Sequence, residues 1–306
     1  MRKRASASVL FWLVIACSVS TRGAAADPDA TGPAAGAGNG ESLTELNKKL
    51  TNPASDFWSI SFQQNNFRVS TFPGQADRWN SNLNFQPMLP VALTRDWNLI
   101  PRPVIPLFDS RPYPEAVAGP PPGMEVLKTT GLGDMALSVV LSPNRSLCGN
   151  WLIGVGPTFV FPTATSVHTG AGKWQAGPAV LFGYLSKRWI LASFTQNWTS
   201  FAGNGSRPDT NSMNLQPIAA WFFPHGWSVG YSGNILANWQ AEPGQVWTVP
   251  LGIGIGKVVR AGRMPVKISL AGQWMPIHPD EFGQKWNIQF YFTPIIPKLV
   301  KHPLLN

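Results

Sequence analysis

Charge is scarce in this sequence: only 13% of its 306 residues are Asp, Glu, Lys or Arg, and the mean hydropathy is close to zero. A water-facing surface ordinarily draws on roughly 25% charged residues, so the composition argues against a soluble globular enzyme. Also missing, after the N-terminal leader, is any run of about 20 consecutive apolar residues, which excludes a membrane-spanning helix. If the chain enters a bilayer, it does so as strands. Cysteine is nearly absent: with Cys17 in the leader, Cys148 stands alone, and one thiol makes neither an internal disulfide nor a metal cluster. A concentrated basic patch is lacking too. The formal charge of +9 includes Arg2, Lys3, Arg4 and Arg22 of the leader, which leaves 20 basic against 15 acidic residues, too mild and dispersed a balance for nucleic acid.

What is present begins with an export signal. Arg2-Lys3-Arg4, the apolar run Val9 to Ala16 and the small residues Ala24-Ala25-Ala26 predict a signal peptide over 1–26, cleaved before Asp27. Val14-Ile15-Ala16-Cys17 also suits lipoprotein processing, and both routes stand. Residues 27–41 are almost all Ala, Gly, Pro, Asp and Thr, with almost no apolar bulk, a flexible linker. Residues 42–56 form a short helix and connector: Ser42-Leu43-Thr44-Glu45 has capping-box form, and Leu43, Leu46 and Leu50 share a face. The helix either caps the first strand locally or plugs a barrel.

From Phe57 the hydrophobic period becomes two. In Trp79–Pro87 the odd positions carry Trp79, Leu83, Phe85 and Pro87, and the even ones Asn80, Asn82, Asn84 and Gln86; Trp227–Ser232 and Trp286–Phe292 repeat the alternation. Twelve such segments start near Phe57, Trp79, Trp97, Leu132, Trp151, Trp174, Trp189, Met213, Trp227, Trp247, Pro265 and Trp286. The predicted fold is all-β, an antiparallel transmembrane β-barrel of about 12 strands over 57–292, with 293–306 as a C-terminal extension. Short turns at 94–96, 186–188, 224–226 and 260–263 alternate with longer loops near 71–78, 109–131, 163–173, 202–212, 241–246 and 278–285. That asymmetry is the pattern of Gram-negative outer-membrane barrels.

Tryptophan supports the same architecture. Trp58, Trp97, Trp151, Trp189, Trp221 and Trp227 map to the short-turn side, and Trp79, Trp174, Trp198, Trp239, Trp247, Trp274 and Trp286 to the long-loop side. Two such belts fit the headgroup zones of a bilayer, where indole finds both apolar and hydrogen-bonding surroundings. Pro87, Pro101, Pro103, Pro157, Pro178 and Pro217 fall within the strands and are expected at strand ends or bulges.

The alternation predicts an inward-facing set of Gln63, Asn82, Asn84, Gln86, Arg102, Asp134, Gln175, Asn214, Gln216, Asn234, Asn238, Lys267, Gln273, Asn287 and Gln289. Ile100 and Val104 disturb this face, and Gln196 falls on the nominal lipid face. Neutral amides suit a narrow conduit for weakly polar solutes or a filled, hydrogen-bonded interior. Arg102, Asp134 and Lys267 are either a selectivity element or a structural ion-pair network. His168, His225, His278 and His302 all fall in connections or the tail, and no G-x-S-x-G elbow occurs, so no catalytic residue, cofactor or metal is assigned.

The segments Gly131-Leu132-Gly133-Asp134, Gly154 to Thr158, Phe161 to Thr165, Gly172-Lys173-Trp174, Arg207-Pro208-Asp209, Leu215-Gln216-Pro217 and Trp247 to Gly252 together resemble a bacterial group. Its members are outer-membrane barrels often mislabelled "neuromedin U", related to phenol meta-pathway transporter-like barrels. The resemblance spans about residues 43–292. It implies an exported outer-membrane barrel with a transport role, inserted by the outer-membrane assembly machinery, and brings no catalytic residues. A non-conducting structural or surface-interaction barrel and, more remotely, a membrane-embedded hydrolase are the alternatives. The chain departs from the group's usual ending, since Thr293 to Asn306 follows the aromatic Phe292.

Overall fold

The computed structural model describes residues 41–72, 75–117, 123–300 and 302–305. The expected signal peptide, both processing routes and nearly all of the linker lie outside the described residues. A helix, α1 (Leu43–Thr51), precedes strands β1 (Ser59–Val69), β2 (Arg78–Met88), β3 (Val91–Ala92), β4 (Trp97–Val117), β5 (Gly123–Gly131) and β6 (Met135–Pro143). After a short helix α2 (Arg145–Cys148) come β7 (Trp151–Phe161), β8 (Lys173–Leu185), β9 (Trp189–Gly203), β10 (Asn211–Phe222), β11 (Trp227–Ser232), β12 (Ile235–Asn238), β13 (Trp247–Ala261), β14 (Met264–Ile277) and β15 (Gln284–Pro294).

These strands close into an antiparallel barrel of 12 wall strands, with β11 and β12 as two halves of one. Closure is sealed where β1 pairs with β15, Phe62 opposite Phe292 and Phe67 opposite Asn287. A closed wall leaves no unpaired edge, the condition for strands to cross hydrocarbon. Large apolar side chains stand outward on it: Ile253 is 66% and Leu191 59% exposed. A soluble protein does not leave such a surface in water, so this is a lipid-facing wall.

Two connections differ from expectation. Residues 109–131 form a hairpin, because the far half of β4 pairs with β5 from Asp109 opposite Gly131 onward. Beyond Phe292, β15 continues to Pro294, and the extension then doubles back, with Leu304 and Leu305 donating backbone N–H to the carbonyls of Ala92 and Leu93.

The prolines sit inside the strands, at places where the ladder lapses on one side. Pairing between β6 and β7 skips from Ser138–Thr158 to Leu141–Val155, around Pro157. Between β8 and β9 it skips from Ala176–Thr199 to Ala179–Gln196, around Pro178. Pro217 faces the break between β11 and β12, and Pro87 lies beyond the last pair of β2 with β4. A residue without an N–H is placed where no partner strand asks for one.

The short-turn half of the barrel is packed with apolar side chains. Leu152, Leu185, Ile190, Ala192, Ile218 and Phe222 form one cluster, and Ile100, Val140, Ala179, Leu181 and Phe194 a second. Ile100 thus belongs inside. Gly154 fits because Val140 and Leu181 already occupy the space a side chain would need.

Helix α1 is tied across this end. Ser42 caps it, its Oγ accepting from the Glu45 N–H at 3.2 Å. Leu46 is fully buried with Val258 and Ile295, flanked by Leu43, Leu50 and Phe57. Thr44 Oγ1 donates to the Phe223 carbonyl at 3.0 Å. After the helix, Ala54 packs against both apolar clusters, on walls β4 and β6–β10. The N-terminal segment therefore makes contacts on opposite walls of the short-turn end.

Of the tryptophans expected at the interfaces, two stand elsewhere. Trp58 is buried, its Nε1 donating to the Pro90 carbonyl at 2.9 Å. Trp198 donates Nε1 to Thr158 Oγ1 at 2.9 Å, on the inner face. Trp79, Trp97, Trp151, Trp174, Trp221, Trp227, Trp239, Trp247, Trp274 and Trp286 are exposed and Trp189 is half-buried. Several pair up: Trp239 with Trp247 at 5.3 Å and Trp274 with Trp286 at 6.3 Å between ring centroids.

Candidate functional site

Above the apolar packing, the lumen opens into a cavity of about 530 Å³. Gln63, Asn82, Asn84, Gln86, Arg102, Asn214, Gln216, Asn234, Lys267, Gln273, Asn287 and Gln289 all line it. Their placement follows from strand parity, since residues two apart along a strand share a face.

The amides on β2, β1, β15 and β14 are joined into one belt. Gln86 Nε2 donates to Gln63 Oε1 at 2.5 Å, Gln63 Nε2 to Asn65 Oδ1 at 3.0 Å, and Asn65 Nδ2 to Asn82 Oδ1 at 2.6 Å. Asn287 Nδ2 reaches Asn65 Oδ1 at 3.5 Å and Gln273 Oε1 at 3.3 Å, and Gln273 Nε2 continues to Gln289 Oε1 at 3.1 Å. Such a belt is uncharged yet offers donors and acceptors along its length, so it can exchange hydrogen bonds with a passing solute.

Asn65 is the hub of this belt and was absent from the sequence-based set. The signal was available: it lies two residues beyond Gln63 on the same face. Gln196 was assigned to lipid but faces inward, its Nε2 donating to Ser138 Oγ at 2.5 Å and Thr158 Oγ1 at 3.3 Å. The β9 face was misjudged because Ile190, Ala192 and Phe194 on its inner side pack the apolar short-turn half, so apolar residues there do not mark lipid. Tyr291, Thr293 and Ser61 also line the cavity.

Three expected residues lie away from the cavity. Asp134 stands between β5 and β6, where its carboxylate accepts from the Ala164 N–H at 3.0 Å and the Ala171 N–H at 2.6 Å, pinning a long loop. Gln175 is buried on β8 opposite Val160. Asn238 is exposed at the end of β12, its Oδ1 accepting from the Gln240 N–H at 3.2 Å.

Of the two readings of Arg102, Asp134 and Lys267, the ion-pair network does not form. Arg102 holds its guanidinium 4.4 Å over the Phe194 ring, and Lys267 Nζ donates to Thr51 Oγ1 of α1 at 2.5 Å. Among the described residues no carboxylate pairs with either.

The histidines are spread over separate connections. His168 stacks on Tyr113 at 3.7 Å, His225 sits in a turn at φ 59°, and His278 contacts the Pro279 carbonyl. Among the described residues no cluster of three or more His, Cys, Asp or Glu is arranged to hold a metal.

No protein family model matches the chain, and no curated protein matches it by sequence. Solved structures do. The chain is similar to the COG4313 outer membrane channel from Pseudomonas putida F1, with a TM-score of 0.54 and 12% identity over 78% of this chain and 96% of that one. It also aligns with a Pseudomonas aeruginosa FadL homologue, at TM-score 0.40, 9% identity and coverage of 82% and 93%. The first of these likenesses shows a shared fold, the closed outer-membrane-type barrel.

Proposed function

We propose that this chain is a passive transporter of the bacterial outer membrane, a narrow conduit for small, weakly polar solutes. The observation that carries this reading is the amide-belted cavity of about 530 Å³ inside a closed barrel whose exterior is apolar. Export through a cleaved leader and insertion by the outer-membrane assembly machinery belong to the same proposal, as does kinship with the transporter-like barrels mislabelled "neuromedin U". A transport role is supported by the shared fold with the Pseudomonas putida F1 protein, which is an outer membrane channel. Solute flux into liposomes carrying the protein tests it: neutral solutes of a few carbon atoms should enter faster than into empty liposomes, and no difference would refute it.

One observation favours a second reading. The N-terminal segment, with Leu46 fully buried and Ala54 against the far wall, fills the short-turn end. If that plug never moves, the barrel is structural and its long loops carry the function. Locking and loosening α1 separates the two.

A further inference from the structure

The cavity has cations without anions. Among the described residues, the charged side chains lining it are Arg102, Arg111 and Lys267, and neither Asp nor Glu is among them. Arg111 is matched, its Nε donating to Asp109 Oδ2 at 2.8 Å. Arg102 and Lys267 are not. Arg102 lines the cavity and reaches from β4 to Phe194 on β9, whose ring covers one face of the guanidinium, and its Nη1 is buried with no hydrogen-bond partner among the described residues.

A buried N–H without an acceptor is an unmet requirement that calls for an explanation. A guanidinium edge matches a carboxylate, which accepts in two places at once. Apolar side chains share the lining with the amides, Met88, Val104 and Ile218 in addition to the Phe194 ring over the guanidinium. A strongly hydrated dianion would lose too much water in such surroundings, whereas a monoanion with an apolar body would not. One-signed charge inside low-dielectric walls also focuses the field along the lumen, and Lys267 adds to it.

We propose that the lumen binds a monocarboxylate with a compact apolar body, the carboxylate on Arg102 and the body against Phe194, Val104 and Ile218, with Lys267 favouring anion entry. This rests on the reading of the cavity as the solute path and extends its solutes from neutral, weakly polar ones to a singly charged anion with an apolar body.

The test is calorimetric titration of the detergent-extracted, full-length protein with benzoate, benzyl alcohol and inorganic phosphate. Benzoate should bind about tenfold or more tightly than benzyl alcohol, the value of one charge-assisted pair, and more tightly than phosphate. Arg102→Gln should abolish the difference, Arg102→Lys retain part of it, and Lys267→Gln weaken benzoate to a smaller degree. Equal binding of benzoate and benzyl alcohol, tighter phosphate, or a preference that survives Arg102→Gln would overturn the proposal. Should Arg102→Gln fail to fold, Arg102→Lys and Lys267→Gln carry the test, and an unchanged benzoate affinity in both overturns it. Benzoate flux into liposomes is measured in parallel: binding without flux would remove the conduit and keep the site, and flux without the preference would remove the site and keep the conduit.

Discussion

Asn47, on the buried side of α1, donates its Nδ2 proton to the carbonyl of Gly226 at 2.9 Å, joining residues 179 positions apart in the chain. Gly226 has φ 78°, and its N–H contacts Thr44 Oγ1 at 3.3 Å, so one short turn holds the helix at two points. The helix is nine residues long, too short to be stable alone in water, and depends on these contacts and on Leu46.

Truncation of Leu46 is therefore expected to free the helix before it unfolds the barrel. A buried Leu→Ala change costs about 2–5 kcal/mol. Leu46→Ala combined with Asn47→Ala should expose residues 43–56 to limited proteolysis while the heat resistance of the barrel is kept. Protection equal to wild type would mean that the segment is held by contacts other than these.

Asn65→Leu removes the hub of the amide belt, leaving Gln63, Asn82 and Asn287 each short of a partner. An unsatisfied buried polar group costs about 1–3 kcal/mol. Urea unfolding in lipid vesicles should show a loss of that order, and the neighbouring Asn66→Leu, on the exposed face of β1, should show none.

Ile253 lies outward near the middle of β13, opposite Gly272 of β14. An Arg at the bilayer midplane costs about 2–4 kcal/mol, so Ile253→Arg should lower folding stability in bilayers by that amount. A soluble barrel would tolerate the change, and an effect near zero would count against the lipid-facing wall.

In the long loops, Asp209 accepts from Lys173 Nζ at 3.0 Å. The hydrogen bond and charge of Lys173, with a further bond from Ser200, hold the Asp209 carboxyl below the usual aspartate range. A depressed folded value means that the contact favours the closed loop fully above about pH 3.9, the ordinary aspartate value, and is lost as pH falls through the lower folded one. Loop protection by hydrogen exchange should be flat from neutral pH to about pH 5 and fall only in stronger acid. Lys173→Met should give the loosened loop at neutral pH.

The wall was legible in the sequence because alternation is a strong local signal: starts expected near Trp97, Trp151, Trp189, Trp227 and Trp247 coincide with the strand starts. The lumen was legible only in its upper half. Where the inside is wet, amides such as Asn82 and Gln289 mark the inner face; where it is packed, Ile190 and Phe194 lie inside and reverse the pattern. The seating of α1 was not legible, because a contact such as Asn47 with Gly226 joins distant segments and leaves no periodic trace. Asp134 was misplaced for a related reason: its partners, the Ala164 and Ala171 N–H groups, are backbone, and no side-chain pattern announces them.

The most direct test of a plugged conduit is single-channel conductance in planar lipid bilayers, comparing wild type with the Leu46→Ala, Asn47→Ala double variant. The account predicts small discrete steps for wild type and larger, more frequent openings once the helix is loosened. A folded, inserted barrel that stays electrically silent in both forms would contradict it.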